Sequence, residues 1–107
     1  MIDTKTYQLR YLPLFEEELN SIVDYIVLRL HNRKAALKLV NDVQTAIHER
    51  LSCAEAFEPY HASRTLDTVY YRIYVHNFIV FYVVIENVME VRRILYNRRD
   101  YVKQLKP

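Results

Sequence analysis

The chain of 107 residues contains no glycine, where typical usage would supply roughly seven. A glycine-free chain cannot build a glycine-rich phosphate loop, a Walker motif or a dinucleotide fingerprint, because each needs backbone that only glycine adopts or approaches closely enough. Tight turns are therefore expected to fall to asparagine, the next residue to tolerate a positive φ. The single cysteine, Cys53, excludes an internal disulfide framework and a cysteine-based zinc cluster, and reads as a small apolar filler suited to a reducing cytosol. His31, His48 and His61 show no metal-ligand spacing, so no metal and no cofactor is expected. No charged-then-apolar leader is visible and no apolar run reaches the ~18 residues that cross a bilayer. The expectation is a cytoplasmic protein with no membrane partner.

What is present is one domain's worth of apolar sequence, 51% of the chain with an ordinary 26% charged. The net charge of +2 hides an asymmetry. Residues 1–59 hold 7 Lys/Arg against 9 Asp/Glu, and residues 60–107 hold 8 against 4. A basic working surface is therefore expected in the C-terminal half.

Tyr7-Gln8-Leu9-Arg10-Tyr11 alternates with the period of a half-buried strand. Leu12-Pro13 ends it, and Glu16, Glu17 and Glu18 put negative charge at the positive end of a helix dipole. Phe15, Leu19, Ile22, Val23, Ile26, Val27 and Leu30 then form one apolar stripe, which predicts a helix over about 13–30. Asn32 is a natural N-cap. Ala35, Ala36, Leu39, Val40, Val43, Ala46, Ile47 and Leu51 mark a second helix of about twenty residues, and the short break predicts an antiparallel hairpin. Residues 52–68 carry neither period and read as loop.

From Val69 the chain turns β-branched and aromatic: Val69–Val75, Phe78–Ile85 and Val88–Leu95, separated by His76-Asn77 and Glu86-Asn87. The middle run has no polar face, so it should be central and covered on both sides. The helices would cover one side. The other needs the segment after Asn97 or a partner chain, and about ten residues are too few for it, so the isolated chain is expected to associate. The architecture expected is α+β, in the order β-α-α-β-β-β, with a helical hairpin packed on a small antiparallel sheet within a single domain, 1–107.

Four stretches in this order resemble the RelE/ParE superfamily of type II toxins: Tyr11-Leu12-Pro13 running into Leu19, Ile22 and Tyr25; the Ala35-Ala36 pair; Tyr71–Val75 with Asn77–Tyr82; and Arg93–Tyr101. The resemblance implies a toxin neutralised by a cognate antitoxin, in a module of the plasmid-stabilisation kind. RelE-like members cut messenger RNA on the ribosome, and ParE-like members poison DNA gyrase with no nuclease chemistry. A degenerate, non-toxic interaction module is a third reading, and a homo- or hetero-oligomer is compatible with all three.

RNA cleavage by 2′-hydroxyl attack needs a base, cationic stabilisation of the phosphate and a proton donor. The candidates are Arg72, His76, Arg98 and Tyr101, while Arg93, Tyr96 and Arg99 could contact a nucleic acid or a partner. Two departures weigh against a nuclease. Ile79 stands where several RelE-like enzymes carry arginine, and Tyr74 stands where a second basic residue would lie. The long hairpin also looks more like ParE members. Alternation groups Arg72 with Tyr70 and Tyr74, and Arg93 with Met89, Val91 and Leu95. A cation on that apolar side must pair with an acid, so Arg93 is expected to bridge to the glutamates opening the first helix or to Asp100.

Overall fold

A computed structural model describes residues 6–59, 68–97 and 105. The elements are β1 (Gln8–Tyr11), α1 (Pro13–Leu28), α2 (Arg33–Glu49), β2 (Tyr71–Val75), β3 (Phe78–Ile85) and β4 (Val88–Tyr96). This is the expected α+β order. Pro13 at the first helical turn starts α1 after an extended Leu12. The helix ends two residues before Leu30: His31 takes the left-handed conformation (φ 52°) and the Asn32 N–H bonds back to the Ile26 carbonyl at 3.1 Å. Asn32 caps α2 as expected, its Oδ1 accepting from the Ala35 N–H at 3.0 Å.

The expectation that asparagines take the positive φ is overturned. His31, His76 and Glu86 do so, each directly before an asparagine. Asn32 is committed to its cap at φ −132°. In both hairpins the twist of the flanking strands places the left-handed residue at the first loop position. Each non-glycine residue there costs about 1–2 kcal/mol.

The four strands form one sheet in the order β1-β4-β3-β2. β2-β3-β4 is the expected antiparallel meander, but β1 joins β4 in parallel, with Arg10 opposite Glu90, so the sheet is mixed rather than antiparallel. A parallel neighbour needs a long crossover, and the helical hairpin begins one.

The helices cover one face. Leu39, Val43 and Ile47 of α2 and Phe15 of α1 meet Ile73, Val75, Val80, Tyr82, Met89, Val91 and Ile94 of the sheet. Tyr82 anchors the turn after α2, its hydroxyl donating to the Ala54 carbonyl (2.7 Å) and accepting from Arg50 (3.0 Å). Tyr70, Ile79, Phe81, Val83, Leu95 and Leu105 form a second buried cluster on the opposite face. That face is thus closed within a single chain, and the premise for self-association from it does not hold.

Strict alternation fails in β4. Phe81 pairs with Arg93 but Tyr82 pairs with Val91, leaving Arg92 as an extra, bulged residue. The extra residue shifts the phase, so Ile94 joins Met89 and Val91 under the helices while Leu95 turns to the outer face. The expected grouping of Arg93 and Leu95 with Met89 and Val91 is therefore corrected.

Candidate functional site

α1 uses only part of its apolar stripe. Phe15 is its one buried residue, Leu19, Ile22 and Ile26 are partly buried, and Tyr25 and Leu28 are exposed. The unspent apolar surface lines a groove of about 520 Å³ between the open end of the hairpin and the sheet rim. Ile22, Tyr25, Ile26 and Leu30 form one wall, Ala35 and Leu39 the second, and Phe78 and Tyr96 the floor at the strand ends. A neighbouring hollow of about 390 Å³ continues it along α1 past Ile94 and Leu95 to Leu14.

The groove mouth is polar. Lys38 and His76 line it, and both reach Asp42 on α2: His76 Nε2 lies 2.7 Å and Lys38 Nζ 3.2 Å from Asp42 Oδ2. The hydrogen bond from His76, then that from Lys38, holds the Asp42 carboxyl below its ordinary range. The pair pins the β2–β3 turn to α2.

The remaining sequence candidates separate. Arg72 is on the outer side of β2, its guanidinium 5.7 Å from the Tyr74 ring, with which alternation grouped it. His76 faces the helices, so the structure does not bring these two together. Arg93 forms the expected pair with the first helix. Its Nε lies 3.0 Å from both Glu18 carboxylate oxygens and its Nη2 2.5 Å from Oε2. Glu18 also accepts the Ile94 N–H at 3.1 Å. Arg93 therefore fastens β4 to α1. Tyr96 is half exposed, packs edge-on against Phe78 and belongs to the groove. Arg98, Arg99, Tyr101 and the alternative acid Asp100 lie outside the described residues, as does His61. Among the described residues no cluster of three or more metal-type ligands occurs, and no helix is long and apolar enough to cross a membrane.

Two features escaped the sequence reading. The groove arises from convergence of three elements, and its linear trace is the surplus of apolar residues at Tyr25 and Leu30. The second is Glu90, the buried charge of β4. Its Oε1 accepts from Arg10 Nε (2.9 Å) and Nη2 (2.6 Å), and its Oε2 from Arg92 Nε (2.7 Å). A lone acid inside an apolar strand with an arginine two residues on was the available signal.

The comparisons with known proteins agree with this geometry. The structure is similar to a chain of the chromosomal ParDE TA system from P. aeruginosa, with a TM-score of 0.69 and 17% identity, over 88% of this chain and 99% of that one. At that identity the likeness speaks for the fold. No curated protein sequence matches. The model for the ParE toxin of the type II toxin–antitoxin system parDE matches residues 9–101, and with a match over that much of its length this chain belongs to the ParE toxin family.

Proposed function

We propose that this toxin inhibits growth by binding DNA gyrase in the cytoplasm, without bond-breaking chemistry of its own, and that a cognate antitoxin silences it. The family match over residues 9–101 carries the reading. The placement of the two catalytic candidates among the described residues supports it: a nuclease needs its base and its phosphate-stabilising cation around one phosphorus, and Arg72 and His76 face opposite sides of the sheet.

The groove supports a helical antitoxin segment. An apolar trough bounded by Ile22, Tyr25, Ile26 and Tyr96 suits the i, i+3, i+4 face of an amphipathic helix. Lys38 at the mouth favours an acidic residue on that helix. A module of this kind would stabilise the DNA that carries it, because cells that lose the DNA lose the antitoxin's protection.

Controlled expression in cells tests the target. An SOS response and double-strand breaks, relieved by the antitoxin and without early messenger cleavage, are expected. Codon-phased cuts in early transcripts would instead assign a RelE-like endoribonuclease. Unaffected growth would leave only the degenerate, non-toxic module.

A further inference from the structure

The groove and the antitoxin leave the Arg10–Glu90–Arg92 group on the other side of the sheet without a role. A buried ion triad is a poor way to stabilise a sheet, because apolar residues of like volume usually serve as well or better. Neighbouring outer-face positions, Val83, Phe81 and Ile79, are indeed apolar and fully buried. What the triad supplies is orientation. Glu90, 7% exposed at its side chain, occupies both oxygens with the two guanidiniums. Burial works to raise its pKa, but the hydrogen bonds and charges of Arg92 and Arg10 outweigh that and hold it ionised.

Two cations share one anion, so the group keeps an excess positive charge. The Arg10 side chain is 51% exposed on the edge strand and Arg92 26% exposed. Arg92 is the bulged residue of β4, and a bulge re-aims a side chain. Its guanidinium lies 6.0 Å from the Tyr70 ring, held over the outer face. Arg92 also hydrogen-bonds the Tyr70 side chain, and each fork, with five N–H groups, keeps donors beyond those bonds. The result is two guanidiniums on adjacent strands, oriented by one buried carboxylate.

We propose that Arg10 and Arg92 form a binding site for a phosphodiester of a nucleic-acid strand, with Glu90 as the residue that positions both. A tetrahedral phosphate directs its oxygens out of one plane and can meet two forks on different strands. Arginine forks match the geometry of phosphate oxygens. The site does not depend on gyrase being the target, since it belongs to the chain alone.

Binding of the purified full chain to a fluorescently labelled 12-nucleotide strand, followed across salt concentrations, tests the site. Arg10→Gln and Arg92→Gln should each weaken binding about tenfold and flatten the log–log salt dependence by about one. Lys34→Gln on the exposed face of α2 should do neither. Glu90→Gln is the sharpest variant. It adds positive charge and should nevertheless weaken binding several-fold, because the forks lose their common anchor. Arg10→Lys should not restore the wild-type affinity. Arg10 is half exposed, so its variants remain informative even if changes at Arg92 unfold the chain. Absence of binding at low salt, tighter binding by Glu90→Gln, or unchanged affinity in the Arg10 variants would overturn the proposal. Displacement of the strand by polyglutamate at equal charge would also overturn it, in favour of an acidic peptide. Displacement by inorganic phosphate at equal concentration would overturn the strand as ligand and leave a free-phosphate site.

Discussion

The two faces of the sheet are closed in different ways. The inner face is covered by a regular apolar stripe, Ala36, Leu39, Val43 and Ile47, repeating at helical spacing along α2. The outer face has no layer of that kind among the described residues. Ile79, Phe81 and Val83 are buried there in one cluster with Tyr70, Leu95 and Leu105, and beside them a carboxylate is buried between two arginines. Stability is therefore expected to reside in the inner layer, while the outer layer holds charges in fixed positions. The groove lies on the inner side, where α1 leaves part of the hairpin open.

The largest effects should separate the layers. Ile47→Ala removes a fully buried side chain from the inner core and is expected to cost about 4 kcal/mol, against about 2 kcal/mol for Leu105→Ala on the outer face. Denaturant unfolding of both variants gives the comparison. Equal losses would mean that the outer cover matters as much as the helices.

The bond joining α1 to β4 comes next. Glu18 accepts from Arg93 and from the Ile94 N–H, so Glu18→Ala removes the carboxylate beside a mostly buried guanidinium and leaves a backbone donor without its acceptor. A loss of about 2–3 kcal/mol is expected. Glu18→Gln, which keeps an acceptor for the Ile94 N–H, should lose less. An equal loss would make the charge pair alone responsible.

Glu90 sharpens the contrast through pH. Its folded pKa is depressed by Arg92 and Arg10 against the pull of burial. A depressed carboxyl contributes stability that is fully present above its unfolded pKa of about 4.3 and is lost as pH falls through the folded value. Glu90→Gln should cost about 1–2 kcal/mol at pH 7 and reduce the acid dependence of thermal unfolding below about pH 5. An unchanged acid limb would show that the triad contributes nothing to folding. The smallest effect should be a gain. Glu86→Gly relieves a left-handed residue (φ 56°) in the β3–β4 turn and should add about 1 kcal/mol, read as a higher Tm.

The same contrast explains what was legible in the chain. The helices and strands could be read because Leu39, Val43 and Ile47, or Tyr71, Ile73 and Val75, repeat at the periods that set which face is buried. The Arg93–Glu18 pair was legible because a cation in an apolar strand must find an acid, although the bulge moves Arg93 off the side that alternation gave it. The bulge at Arg92 was not, since one extra residue leaves no mark in composition, and every position after it changes side. The left-handed turn residues were missed for a related reason. Residue preference favours asparagine, but strand twist and the capping duty of Asn32 decide the position. The groove and the Glu90 triad join residues as far apart as Ile22 and Tyr96, or Arg10 and Glu90, and only the parallel entry of β1 beside β4 brings the latter pair together.

The most direct measurement uses purified gyrase, relaxed plasmid DNA and ATP, with the toxin added alone or with its antitoxin. Loss of supercoiling with accumulation of protein-linked, cleaved DNA, reversed by the antitoxin, is the predicted result. Unimpaired gyrase, together with toxin-dependent cutting of ribosome-bound messenger RNA, would contradict it.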